Sequence, residues 1–141
     1  MDWEGAFLND PYLDLAVVKN FIVKNESEET EFLRNYFDAL VGDYQYAKLY
    51  VMSQLLHVYY FVTFLLFGAK DGPVNLDGVR KNEFRDFNDR IWDGKIDLSD
   101  SEAKLEYALV HMEALLRNGG TSRFKDCLKI LASKKEKPVK Q

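Results

Sequence analysis

The chain has 141 residues, a net charge of −4 and a sequence pI near 5.2. That acidic balance argues against a nucleic-acid partner, for which a basic field is expected. At 47% hydrophobic the chain is too apolar for disorder, and its 8 Gly and 3 Pro exclude a collagen-like or low-complexity polymer. The single cysteine excludes an internal disulfide framework.

The first ten residues hold Asp2, Glu4 and Asp10, where a secretory signal needs a basic start and an apolar run. The expected location is therefore the cytoplasm, with Cys127 reduced, and the sequon Asn25-Glu26-Ser27 reads as coincidence.

Asp10-Pro11 starts a first helix: Asp caps the free amides, Pro fits the first turn and Asp14 sits where the helix dipole favours negative charge. That helix runs to about Lys24. Ser27-Glu28-Glu29 opens a second, whose Phe32, Leu33, Tyr36, Phe37, Leu40 and Val41 recur at helical spacing until Gly42 ends it. A long apolar helix follows from about Asp43 to Phe67, and Gly68, Asp71-Gly72-Pro73 and Asp77-Gly78 mark a loop. Phe84, Phe87 and Ile91 then give an amphipathic helix ending near Gly94. The capping box Ser99-Asp100-Ser101-Glu102 opens another, with Leu105, Ala108, Leu109, Met112, Leu115 and Leu116 on one face. Asn118-Gly119-Gly120 stops it. Thr121 or Ser122 starts the last helix, lined on one side by Phe124, Cys127, Leu128 and Leu131.

Turn-forming residues fall at the predicted ends, so the expected fold is all-α with about six helices: one domain over residues 1–133 and a Lys-rich tail over 134–141. A short strand at Met1–Trp3 would need a partner that the chain does not contain. Leu49 through Ala69 carries no Asp, Glu, Lys or Arg, a run as long as a membrane span. Its central tyrosines and polar residues favour a core helix buried on most sides, and no membrane is expected.

Most chemical motifs are missing. His57 and His111 have no second ligand at metal spacing and read as core or boundary histidines. Cys127 on an apolar stripe reads as an inert thiol. Gly119-Gly120-Thr121-Ser122 lacks the Lys and the preceding strand of a phosphate loop. One cluster stands out, Asp2-Trp3-Glu4 followed by Asp10-Pro11-Tyr12-Leu13-Asp14-Leu15-Ala16. Asp2 suits Mg²⁺ as a hard oxygen ligand and Glu4 could add a second carboxylate; the other reading is an exposed acidic terminus before a capped helix.

In order and spacing, these two segments resemble the C-terminal lobe of the aminoglycoside phosphotransferase and choline kinase-like superfamily, small-molecule kinases with a protein-kinase-like fold. The resemblance is carried by the first 16 residues; the remainder matches in class. It implies that Asp2-Trp3-Glu4 plays the part of the metal-binding segment, and that Asp10 through Ala16 begins a C-lobe helix. On that basis Asp2 is the candidate metal ligand, Glu4 and Asp14 are supporting residues, and Mg²⁺ and ATP are the implied cofactors. The chain departs from the family in having no His-Gly-Asp-x-x-x-x-Asn catalytic loop and no glycine-rich nucleotide lobe. No catalytic residue is therefore assigned, and the isolated chain is expected to be inactive.

Two readings follow. One is the C-terminal portion of a small-molecule kinase-like phosphotransferase, passing phosphate from ATP to an aminoglycoside- or choline-like alcohol, truncated before its catalytic loop. The other is a free-standing helical binding or scaffold domain. The first implies self-association or a missing N-terminal lobe, and an acceptor pocket drawn from acidic and aromatic residues such as Tyr59, Tyr60, Trp92 and Tyr107. A third reading is a small membrane protein built around Leu49–Ala69.

Overall fold

The computed structural model describes residues 10–38, 41–69 and 83–133. Asp2, Glu4, the strand considered at residues 1–3, the turn signals between 71 and 78 and the tail 134–141 lie outside the described residues. Within them the chain forms six helices and no strand: α1 (Pro11–Ile22), α2 (Glu26–Phe37), α3 (Asp43–Gly68), α4 (Phe84–Trp92), α5 (Ser101–Gly119) and α6 (Ser122–Ser133).

The start signals act as their chemistry dictates, with some shifts of position. The Asp10 carboxylate accepts the Tyr12 N–H at 3.0 Å, and Pro11 occupies the first turn. The α2 cap is Asn25 rather than Ser27. Asn25 Oδ1 accepts the Glu28 N–H at 3.0 Å, while Glu28 reaches back to the Lys24 N–H at 2.7 Å. Asp100, not Ser99, caps α5 by accepting from Ala103 N–H at 3.0 Å. Thr121 Oγ1 accepts the Phe124 N–H at 3.2 Å at the head of α6. The second helix ends earlier than its apolar pattern suggests, with Asp38 left-handed at φ 45°. Gly42 instead begins α3, where the Gln45 side chain accepts its N–H at 3.1 Å.

α3 is the axis of the bundle. It packs most extensively on α5, with α1 and α6 along other sides, and α4 lies on α5. One core region joins α1, α2 and α3 through Tyr12, Leu15, Ala16, Leu33, Leu49 and Leu56. A second joins α3 to α6 through Ala47, Tyr50 and Cys127, and a third gathers Phe87, Tyr107 and Val110 from α4 and α5. Near its C-terminus α3 approaches α5 so closely that a Cβ on Gly68 would lie 2.7 Å from Leu105 side-chain carbons. Gly68 is thus a crossing point inside the last helical turn, not the first residue of a loop.

The long helix is buried on most sides only as far as His57. Beyond it Val58, Tyr59, Val62, Leu66 and Phe67 are exposed, and with Leu55 they form an apolar stripe at helical spacing. α3 is also, among the described residues, the one helix long and apolar enough to cross a membrane.

Candidate functional site

Helix ends converge on one side of the bundle around a cleft of about 280 Å³. α1 contributes Lys19 and Asn20, and the turn after it Lys24; α2 contributes Glu26 and Glu29; α3 contributes Tyr50, Gln54 and His57. Arg85 of α4, Asn118 of α5 and Arg123 of α6 complete the charged and amide lining. Glu29 is the electrostatic hinge of the cleft. Its buried carboxylate takes Lys19 Nζ at 3.5 Å and Arg123 Nη2 at 3.0 Å. Both cations also lie over the Tyr50 ring, 5.3 Å and 4.3 Å from its centroid. Burial pulls the Lys19 ammonium below its ordinary pKa, with the charge of Glu29 opposing.

Arg85 behaves differently. Its guanidinium donates to the carbonyls of Phe21 and Val23, closing the C-terminal end of α1, and makes no ion pair among the described residues. Among the described residues lining the cleft, the cations Lys19, Lys24, Arg85 and Arg123 outnumber the carboxylates Glu26 and Glu29, which favours an anionic group. Amides are already engaged within it: Asn20 donates to the Ser53 carbonyl at 3.1 Å, and Asn118 to Gln54 at 3.0 Å.

At the base of the cleft His57 Nδ1 meets His111 Nδ1 at 2.8 Å. Burial lowers the His57 pKa to about 4, with Lys19 and Arg117 adding to the effect. Burial, followed by His57, lowers that of His111 to about 2. Both rings are neutral at pH 7, so one Nδ1–H donates to the other nitrogen. Among the described residues, His111 Nε2 is buried without a partner. An unpaired buried acceptor is less costly than an unpaired N–H, which favours the proton on His111 Nδ1 and leaves His57 protonated at Nε2.

A second, chemically distinct cavity of about 230 Å³ lies between α1, α3, α4 and α5. Tyr60, Trp92 and Tyr107 line it, and none of the described residues around it is charged. Burial raises the pKa of the Tyr107 hydroxyl, so it stays protonated. Three of the four aromatics singled out from the sequence thus come together here; Tyr59 is exposed on α3. None of the described residues lining this cavity is a carboxylate; the carboxylates of the first cleft, Glu26 and Glu29, lie with Tyr50 instead.

No family model, curated protein or solved structure matches the chain.

Of the candidate residues from the sequence, Asp14 is described and Asp2 and Glu4 are not. Asp14 is exposed in the first turn of α1, and the cleft lies at that helix's other end. Next to it Asp10 is fixed in place by Lys48 of α3 at 2.6 Å. Burial alone would raise the Asp10 pKa, but the Lys48 contact and the Tyr12 amide outweigh it and the value falls. Among the described residues no group of three or more His, Cys, Asp or Glu could hold a metal. The sequence reading missed the His57–His111 pair, Glu29 and Asn88. Its only signals were the helical phase of Glu29 with Leu33 and the apolar neighbours of the other three.

Proposed function

We propose that this chain is the helical C-terminal portion of a kinase-like phosphotransferase that passes the γ-phosphate of ATP to a hydroxyl-bearing small molecule. The observation that carries the reading is the anchoring of the second half of the sequence motif. Asp10 caps α1 and pairs with Lys48, while Tyr12, Leu15 and Ala16 are buried in the core. Asp10 is therefore held at a fixed point at the head of α1, and Asp14 is exposed in the first turn of the same helix. Phosphoryl transfer depends on positioning and charge neutralisation, so a metal carboxylate must be held on a rigid support.

In this reading Asp2 is the Mg²⁺ ligand, Glu4 supports it, and Asp14 braces the neighbouring backbone through hydrogen bonds. The donor chemistry fits, since carboxylate oxygens suit Mg²⁺. A single carboxylate holds it weakly, and the base and a second ligand have no counterpart in these 141 residues. Bound Mg²⁺ would neutralise phosphate charge; this chain's own part is to hold Asp2 and to present the helical lobe. The test is titration of the ¹⁵N-labelled chain with Mg²⁺-ATP. Residues 2–16 are expected to shift at millimolar ligand, and Asp2→Asn to abolish the shift. Unmoved signals would refute nucleotide binding by this chain.

The net basic cleft favours a second reading, a free-standing helical domain that binds a small anionic molecule. In the same titration that reading predicts movement around Lys19, Arg85 and Arg123 while residues 2–16 stay in place.

A further inference from the structure

We infer that the charged cleft holds a small hydroxylated phosphate monoester, its dianionic head among Lys19, Arg85 and Arg123 and its carbon body against the Gln54 and Asn118 amides. The inference rests on the anion-binding reading of the cleft and names its ligand class. It is independent of the phosphotransfer reading.

Among the described residues the cleft is lined by four cations and two carboxylates, so a dianion balances it. The cations converge rather than spread. Lys19 and Arg123 share both the Glu29 carboxylate and the Tyr50 ring. The charges of Arg123 and Arg85 both act against the Lys19 ammonium, whose side chain is only 13% exposed. Water and salt screen such half-enclosed charges poorly, so an anion seated among them relieves their repulsion.

Donors remain for that anion. A guanidinium carries five N–H groups in a fixed fork. Arg85 gives one from each terminal nitrogen to the Phe21 and Val23 carbonyls, and the rest are left for a ligand. Arg123 holds Glu29 through Nη2, but its second contact, to Glu26, is 3.4 Å long and reaches a carboxylate side chain 87% exposed. A pair of that kind is weak, and a ligand oxygen replaces it.

Geometry then selects phosphate. A dicarboxylate carries its two charges on separate carbons and suits cations that stand apart. A phosphate monoester gathers both charges on one group of oxygens, which accept paired N–H groups from a guanidinium. A sulfate ester has the same shape with one charge fewer. The cleft, at about 280 Å³, lies near the low end of small-molecule pockets, so the body has few carbons. Asn118 donates to Gln54 at 3.0 Å, and each amide keeps further hydrogen-bonding capacity. Hydroxyls on the body suit these amides better than bare hydrocarbon does.

The experiment titrates the full ¹⁵N-labelled chain at pH 7.5 and fixed ionic strength with glycerol 3-phosphate, methyl sulfate and succinate. Glycerol 3-phosphate is expected to shift the amides of Lys19, Arg85 and Arg123 saturably, and the other two probes to bind at least about tenfold more weakly. Arg123→Gln should weaken glycerol 3-phosphate about tenfold. Lys24→Gln, at an exposed position on the rim, should weaken it about threefold and keeps the inference testable if Arg123→Gln fails to fold. A phosphoserine tripeptide carries the same head on a protein source; its backbone overfills the cleft, and tighter binding of it than of glycerol 3-phosphate overturns the small-molecule assignment. Saturable binding of methyl sulfate or succinate as tight as that of glycerol 3-phosphate leaves the anion-binding reading standing and overturns the phosphate assignment. Absence of saturable shifts with all three probes, or binding unchanged in both variants, overturns the two together.

Discussion

His57 and His111, 54 positions apart in the chain, place their Nδ1 atoms 2.8 Å from each other across the interface of α3 and α5. The rings are enclosed by aromatics: Phe84 lies edge-on to His57 at 4.9 Å, and Tyr60 stacks on His111 at 5.0 Å. Among the described residues, the charges acting on His57 are the cations Lys19 and Arg117, and neither stabilises a proton on it. The pair is thus a neutral, buried joint between the two helices with the most extensive contact in the bundle.

Its titration sets a pH dependence. Both histidines fall from 6.5, His57 to about 4 and His111 to about 2. Below pH 6.5 the unfolded chain takes up protons that the folded pair refuses, so stability declines as the pH drops from 6.5 through 4. Above 6.5 this contribution is constant. Urea midpoints measured at pH 7.5 and 4.5 should fall with pH in the unaltered chain and fall less in His57→Leu/His111→Leu. Identical profiles would remove the pair from the explanation. At pH 7.5 each single Leu variant should be less stable than the double, because it leaves one imidazole nitrogen buried and unpaired.

Glu29 neutralises two cations in a buried setting. Glu29→Gln leaves Lys19 without its counter-charge, at an expected cost of about 3 kcal/mol. Arg123, whose side chain is 41% exposed, keeps access to water. Arg123→Ala should therefore cost about 1 kcal/mol or less. Chemical denaturation of the two variants checks the order, and equal costs would mean that the burial of Lys19 is not what makes Glu29 important.

Gly68 has no room for a side chain against Leu105, and the Ser101 carbonyl is 3.1 Å from the position a Cβ would take. Gly68→Ala should destabilise the fold by about 1–3 kcal/mol through overpacking at the α3–α5 crossing. Shortening the neighbour with Leu105→Ala should make the second cost less than additive. A double-mutant cycle by thermal or urea unfolding measures the coupling; zero coupling would place the strain elsewhere.

Asp10 combines a cap with an ion pair. Asp10→Ala loses both and should cost about 1–2 kcal/mol. Asp10→Asn retains a capping oxygen and should cost less than about 1 kcal/mol. Hydrogen exchange of the first-turn amides of α1 distinguishes them: protection should drop in the Ala variant and largely persist in the Asn variant.

The helices were legible because their signals are local. Asp10-Pro11, the period of Phe84, Phe87 and Ile91, and the acid-rich start of α5 act within one or two turns of chain. Errors arose where two local signals competed. The apolar pattern runs through Leu40 and Val41, yet α2 yields at Asp38, and Gly42 serves the following helix. Leu128, expected on the buried stripe of α6, is 43% exposed, because α6 has a bundle on one side only and a narrow seam suffices.

The sequence by itself determined an all-α chain of six helices, the caps that start several of them, and Cys127 as a buried thiol. Those properties follow from backbone capping and from the period at which apolar residues recur. Only the tertiary structure decided that Lys19, Glu29 and Arg123 form one charged cleft, that two histidines share a hydrogen bond, and that Tyr107 of α5 donates to the buried Asn88 of α4. Each of these joins residues from different helices. Their meeting depends on how α3 rolls against α1, α4, α5 and α6, and no local spacing encodes that angle.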